Sequence, residues 1–271
     1  MAGKIKITCK AIIFTFFMLI SNYLYSDTQI SIGSVAFLPI SESDNTVDYY
    51  YNNNLITKVL VKNKPFLLFG IPYYTQPGVN NFIFESKLSK KVFSLNIIQE
   101  DYSTQNISIN KYRTKTKKEL KRIASEKQKM LVGKNEKYQK YPDYKFINPV
   151  EGTVTGVYGT ERYYNGKKGS FHNGHDIAAK TGTSIKAPSG GKIILTGNYY
   201  YNGKFVMINH GNNLISIFLH MNNISVKKDT IVNKGQIIGT VGNTGLSSGS
   251  HLHWSVLLNN TYIDPLALIN K

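Results

Sequence analysis

Apolar and polar positions alternate over short stretches through most of the chain, and this period of two predicts strands rather than helices. In the first third, Ile30, Ile32 and the segments 35–40, 55–61, 66–69, 82–84, 92–98 and 107–109 are apolar and of strand length, separated by turn formers such as Asn63, Lys64 and Pro65. Short strands at this spacing predict a small β-sandwich over residues 27–110. In the last half, segments 193–195, 205–208, 215–219, 237–241 and 252–258 alternate with glycines (Gly190, Gly197, Gly203, Gly211, Gly235, Gly242) that suit tight turns. They predict a glycine-rich antiparallel β domain over residues 146–271. Residues 111–145 read as a helix joining the two. Thr116 and Glu119 form a capping-box signature, Leu120, Ile123, Ala124, Lys127 and Leu131 recur at helical spacing, and Gly133 is expected to end it. The expected fold class is therefore mainly β: an N-terminal β-sandwich, a short basic linker helix and a C-terminal β domain.

Composition adds a compartment and a charge. Lys4, Lys6 and Lys10 precede an apolar run at 11–20 that is too short to span a bilayer, so residues 1–26 read as a signal peptide cut after Ser26, with no stable membrane anchor unless it stays uncleaved. Cys9 is the only cysteine and lies before that run, which argues against a lipid anchor and leaves a mature chain without disulfides. Export without disulfides suits a bacterial periplasm or cell envelope. The net charge of +17 is either a solvated surface or an attraction to an anionic polymer. Without zinc-finger spacing or an RNA-binding aromatic signature, nucleic acid is not an expected partner.

The chemistry is concentrated in six histidines, all in the last domain: His172, His175, His210, His220, His251 and His253. In His251-Leu252-His253 a strand would send both imidazoles to one face and Leu252 into the core. Alone, such a pair is common on surfaces. His172 and Asp176 flank a glycine and run into strand-like Ile177, so a loop entering a strand can bring both to one point. Zinc accepts imidazole nitrogen and carboxylate oxygen, and catalytic sites commonly use three protein ligands and an open position. His172, Asp176 and one of the 251/253 pair would meet that count. His220 ends an apolar strand, where a rigid element meets an open edge. His175 and His210 read as structural.

The stretch His172-Asn173-Gly174-His175-Asp176-Ile177-Ala178-Ala179 resembles the HxGxD motif of the M23 (lysostaphin/LytM-type) metallopeptidases, and Ser250-His251-Leu252-His253-Trp254 resembles their HLHW motif. Ile208-Asn209-His210-Gly211, Phe218-Leu219-His220, the glycine-rich run 226–244 and Asp264-Pro265 are similar to further stretches in the same order. The likeness covers residues 146–269, and the strand-rich region before it resembles the Ig-like domain of an envelope branch of these enzymes. Three positions depart from the pattern: Asn209 replaces an aspartate, Ser250 a proline, and Arg162 is the one arginine kept of two.

The resemblance implies one zinc ion per chain held by His172, Asp176 and His253, with His220 and His251 as the catalytic pair, one taking the proton of the attacking water and the other steadying the oxyanion. It implies a monomeric zinc endopeptidase acting on bacterial peptidoglycan, with D-alanyl cross-links favoured over glycyl bonds. The alternative is an inactive cell-wall-binding protein or activator of another hydrolase; retention of all five residues weighs against it. A lipoyl-type carrier would need a lysine at a hairpin tip, and none is placed so.

Overall fold

The computed structural model describes residues 21–23, 29–107 and 114–269. The expected signal peptide, residues 1–26, lies outside the described residues apart from the strand Ser21–Tyr23, which pairs with Lys90–Ile98.

Hairpin geometry follows from asparagine. Five two-residue turns, at 52–53, 62–63, 165–166, 212–213 and 259–260, have positive φ at both positions, the type I′ conformation whose twist matches that of paired strands. Asparagine tolerates this region better than other side chains with a Cβ, and it occupies eight of the ten positions, with Gly166 and Lys62 at the other two. The Asn212–Asn213 turn folds Gly203–Gly211 back on Leu214–Met221, and the Asn259–Asn260 turn folds His251–Leu258 back on Thr261–Ile263.

Eight strands of the C-terminal half form one antiparallel sheet. Its order is Thr153–Gly156, His175–Ala178, His251–Leu258, Leu214–Met221, Gly203–Gly211, Gly191–Tyr199 and Ile231–Val232, with Thr261–Ile263 beside His251–Leu258. Phe146, Val206, Phe218, Leu252 and Trp254 fill its core. The N-terminal half has a six-stranded and a three-stranded sheet, packed on a core that includes Leu38, Phe69, Phe84 and Phe93.

The two halves share a core. In strand Lys64–Gly70 the run Leu67, Leu68 and Phe69 is buried on both faces: Leu67 and Phe69 point into the N-terminal core, whereas Leu68, with Val35 and Val59, joins the cluster of Trp254, Leu258 and Ile263. Polar bonds lock the contact. Asn259 accepts from the Thr57 amide at 2.9 Å and donates to the Leu68 carbonyl at 2.9 Å. The Tyr158 ring lies against Gly33, where a Cβ would come within 2.3 Å of it.

Three expectations need correction. The helix runs Lys117–Lys134, with the predicted capping box present, but Gly133 lies inside it. Gly133 is buried with Leu195 against its Cα, so its small size serves close packing rather than termination. The predicted apolar stripe is also displaced, because Leu120 and Leu131 are exposed while Ile123, Glu126, Met130 and Gly133 form the docked face. Glu126 accepts from the Tyr200 amide and Arg122 donates to the Asn198 carbonyl, and these bonds set the face that the weak apolar pattern did not. The last strand assigned to the sandwich, 107–109, is Thr104–Ile107 where described. It pairs in parallel with Glu161–Tyr164 of the C-terminal half rather than with the sandwich.

Candidate metal centre

Register places the site. Strand His175–Ala178 runs antiparallel to His251–Leu258 with Asp176 directly opposite His253, and Leu219 of the next strand also stands opposite His253. Leu252 is fully buried while His251 and His253 turn to the other face, as alternation requires. His172 arrives on the loop before His175–Ala178. Its amide donates to the Thr160 carbonyl and its own carbonyl accepts from the Gly159 amide, so the His172 backbone is held on both sides.

Three ligand atoms converge. His172 Nε2 lies 3.1 Å from His253 Nδ1 and 3.1 Å from Asp176 Oδ1, and His253 Nδ1 lies 2.8 Å from the same oxygen. Among the described residues these three form a group able to hold a metal ion. Their outer atoms fit that role. His172 Nδ1–H donates to the Val157 carbonyl at 2.8 Å and His253 Nε2–H donates to Ser255 Oγ at 2.8 Å, so both rings present a lone pair at the point of convergence. Four-coordinate ligand atoms 2.0–2.1 Å from zinc lie roughly 3.3 Å apart, within a few tenths of an ångström of these separations. Burial would raise the Asp176 carboxyl, but the bonds and charge of His172 and His253 outweigh it and hold the group well below the usual carboxylate range. Burial lowers the proton affinity of His253, which keeps that ring neutral and available to a metal.

The two remaining histidines flank this group. His251 Nε2 is 3.8 Å from Asp176 Oδ1, and the His220 and His251 ring centroids are 4.9 Å apart. His220 donates from Nδ1 to the Thr244 carbonyl at 2.9 Å, and His251 from Nδ1 to the Gly249 carbonyl at 2.9 Å, leaving both Nε2 atoms as acceptors. Burial pulls His220 down to about 4, so it is neutral at pH 7. It also sits at φ +62°, a strained conformation for a residue with a Cβ and one that recurs where geometry serves function. His175 and His210 stand apart. His175 Nε2 pairs with Asp264 at 2.8 Å, and buried His210 bridges the Gly190 carbonyl and Ser216.

The family model described as Peptidase family M23 matches residues 170–265, the span that holds all five residues of the cluster. Residues 170–265 are a Peptidase family M23 domain. Over 100 residues the chain is 37% identical to peptidoglycan DD-endopeptidase ShyA of Vibrio cholerae, covering 37% of this chain and 23% of that protein. It is 35% identical over 98 residues to the DD-carboxypeptidase/endopeptidase Mpg of Neisseria meningitidis, covering 36% of this chain and 23% of that protein. The chain thus matches less than a quarter of the length of these curated relatives. A crystal structure of an M23 peptidase candidate from Pseudomonas aeruginosa superposes with TM-score 0.72 at 28% identity, covering 88% of this chain and 94% of that one, so the likeness in fold extends through the N-terminal half.

Sequence reasoning did not find Ser255 or the Val157 carbonyl, which orient the rings of His253 and His172. Ser255 had a signal: two residues after His253 on a strand, it shares that residue's face. Val157 acts through its backbone, which no side-chain pattern marks.

Proposed function

We propose that this chain is a zinc-dependent endopeptidase that cleaves peptide cross-links of bacterial peptidoglycan. The observation that carries the reading is the convergence of His172, Asp176 and His253 beside two imidazoles with free Nε2 atoms, within an M23 domain. Zinc, when bound, polarises a carbonyl and lowers the pKa of a water. His172 and His253 hold their lone pairs at the metal position because Val157 and Ser255 take their opposite N–H groups. Asp176 supplies the single negative charge of the donor set. His220 and His251, both acceptors at Nε2, take the proton of the attacking water at one of these atoms. The resulting imidazolium passes that proton to the departing amine, so the bond from the water oxygen to the carbonyl carbon replaces the peptide C–N bond and the amine leaves protonated.

The relatives named for DD-endopeptidase activity support D-alanyl cross-links as the bond cut. The N-terminal basic and apolar pattern supports export to the periplasm. No helix among the described residues is long and apolar enough to cross a membrane. Purified cross-linked muropeptide dimers test the reading directly. The protein should convert them to monomers, stop when a chelator is added and resume when zinc is restored. Dimers that bind without being consumed would refute it.

A further inference from the structure

The short strand Thr104–Ile107 lies far from the M23 domain in sequence, yet it borders the cluster. It pairs in parallel with Glu161–Tyr164, and Gln105 stands level with Arg162. Neighbours level across a parallel pair share a face, and here they touch: Arg162 Nε donates to Gln105 Oε1 at 3.2 Å. The other end of the same guanidinium reaches Asp176 Oδ2 at 3.4 Å, while Oδ1 of that carboxylate faces His172 and His253. The strand is tied to the same neighbour at its start as well. The Ser103 carbonyl accepts from the Glu161 amide at 2.9 Å, and the Ser103 and Thr160 hydroxyls bond at 3.1 Å. Thr160 in turn donates at 3.0 Å to the Val157 carbonyl that orients His172. Two chains of contact therefore run from residues 103–105 to two members of the cluster.

We infer that Gln105 and Arg162 are positioning residues of the metal centre: Gln105 fixes the Arg162 guanidinium, and Arg162 holds Oδ2 of Asp176 so that Oδ1 stays turned to the two histidines. The inference rests on the zinc reading above. It makes the segment before the M23 domain part of the site rather than a spacer. A carboxylate with one oxygen anchored cannot swing away when the metal leaves, so the anchor lowers the cost of rebinding. Such outer partners of a metal ligand typically change metal affinity 10- to 100-fold when removed. Arg162 and Gln105 both reach solvent, so neither is needed to fill a core.

The test is zinc competition against a chromophoric chelator on the full mature chain, comparing the parent with Arg162→Met, Gln105→Leu and the double variant, alongside melting of each metal-free protein. Arg162→Met should weaken zinc binding by roughly 10- to 100-fold with little change in metal-free melting. Gln105→Leu should weaken it several-fold, and in the Arg162→Met background it should add less than about twofold, because it acts through the arginine. Should Arg162→Met not fold, the exposed Gln105→Leu variant carries the test alone. Zinc bound as tightly by Arg162→Met as by the parent overturns the inference, and doubly so if KM rises, since Arg162 would then contact substrate instead. Losses that simply add in the double variant overturn the relay. A parent that takes up no zinc overturns the zinc reading and the inference together.

Discussion

Replacing Ser255 with alanine should weaken zinc binding without unfolding the protein. Ser255 is 2% exposed, its Oγ accepts from His253 Nε2 at 2.8 Å, and it donates to Asn173 Oδ1 at 3.2 Å. Water has little room to replace the lost oxygen, so the variant leaves a buried N–H without a partner, at a cost of about 1–3 kcal/mol. The metal-free protein has a way out. The proton can move to His253 Nδ1, which lies 2.8 Å from Asp176 Oδ1 and would donate there. That tautomer has no lone pair to offer at Nδ1, so zinc must reverse the shift and the penalty falls on binding. At 1.4 kcal/mol per tenfold, the zinc dissociation constant should rise roughly 5- to 150-fold. Metal-free stability should fall by less than about 1 kcal/mol, because the shifted proton has a carboxylate partner. Chelator competition gives the first quantity and urea unfolding of the stripped protein gives the second. Zinc affinity within about twofold of the parent, or a stability loss as large as the affinity loss, would refute the argument.

Other perturbations have different signatures. His220→Ala and His251→Ala should each retain about one equivalent of zinc while turnover of muropeptide dimers falls by roughly 10²–10⁴, measured by chromatography of the products. Gly156→Ala should impair the site from the far side of Asp176: the added Cβ would lie 2.7 Å from Asp176 Oδ2 and 3.1 Å from its Cβ, so the carboxylate must shift, and activity at saturating zinc should drop by at least about tenfold. Burial holds His210 at about 4 against 6.5 in the unfolded chain, so the unfolded state binds the extra proton and stability falls as pH drops below 6.5. Between pH 7 and pH 5 the metal-free parent should lose about 2 kcal/mol more than His210→Gln in urea unfolding, and equal losses would contradict the assignment.

The chemistry was legible in the sequence because its spacings are short. His172 and Asp176 are four residues apart, His251 and His253 two, and strand alternation alone turns the second pair to one face. What joined the pairs was not legible: the register that sets Asp176 against His253 depends on pairing between strands about 75 residues apart. The asparagine pairs at 52–53, 212–213 and 259–260 and the Asn-Gly at 165–166 were a missed signal for hairpins. The run 66–69 suits a sandwich strand equally well whether its second face meets solvent or another domain, and Leu68 in the shared core shows which it is. The parallel pairing of Thr104–Ile107 with Glu161–Tyr164 left no local trace, since parallel partners need no turn between them.

The central claim is that Asp176, His172 and His253 hold a zinc ion that the cleavage of peptidoglycan requires. Its most direct test is the metal content of the purified mature chain beside Asp176→Ala, followed by exposure of both to purified peptidoglycan. The account predicts about one zinc in the parent, none in the variant, and peptides released by the parent alone. A parent without zinc that still binds cell wall, or an Asp176→Ala variant that keeps its metal, would contradict it.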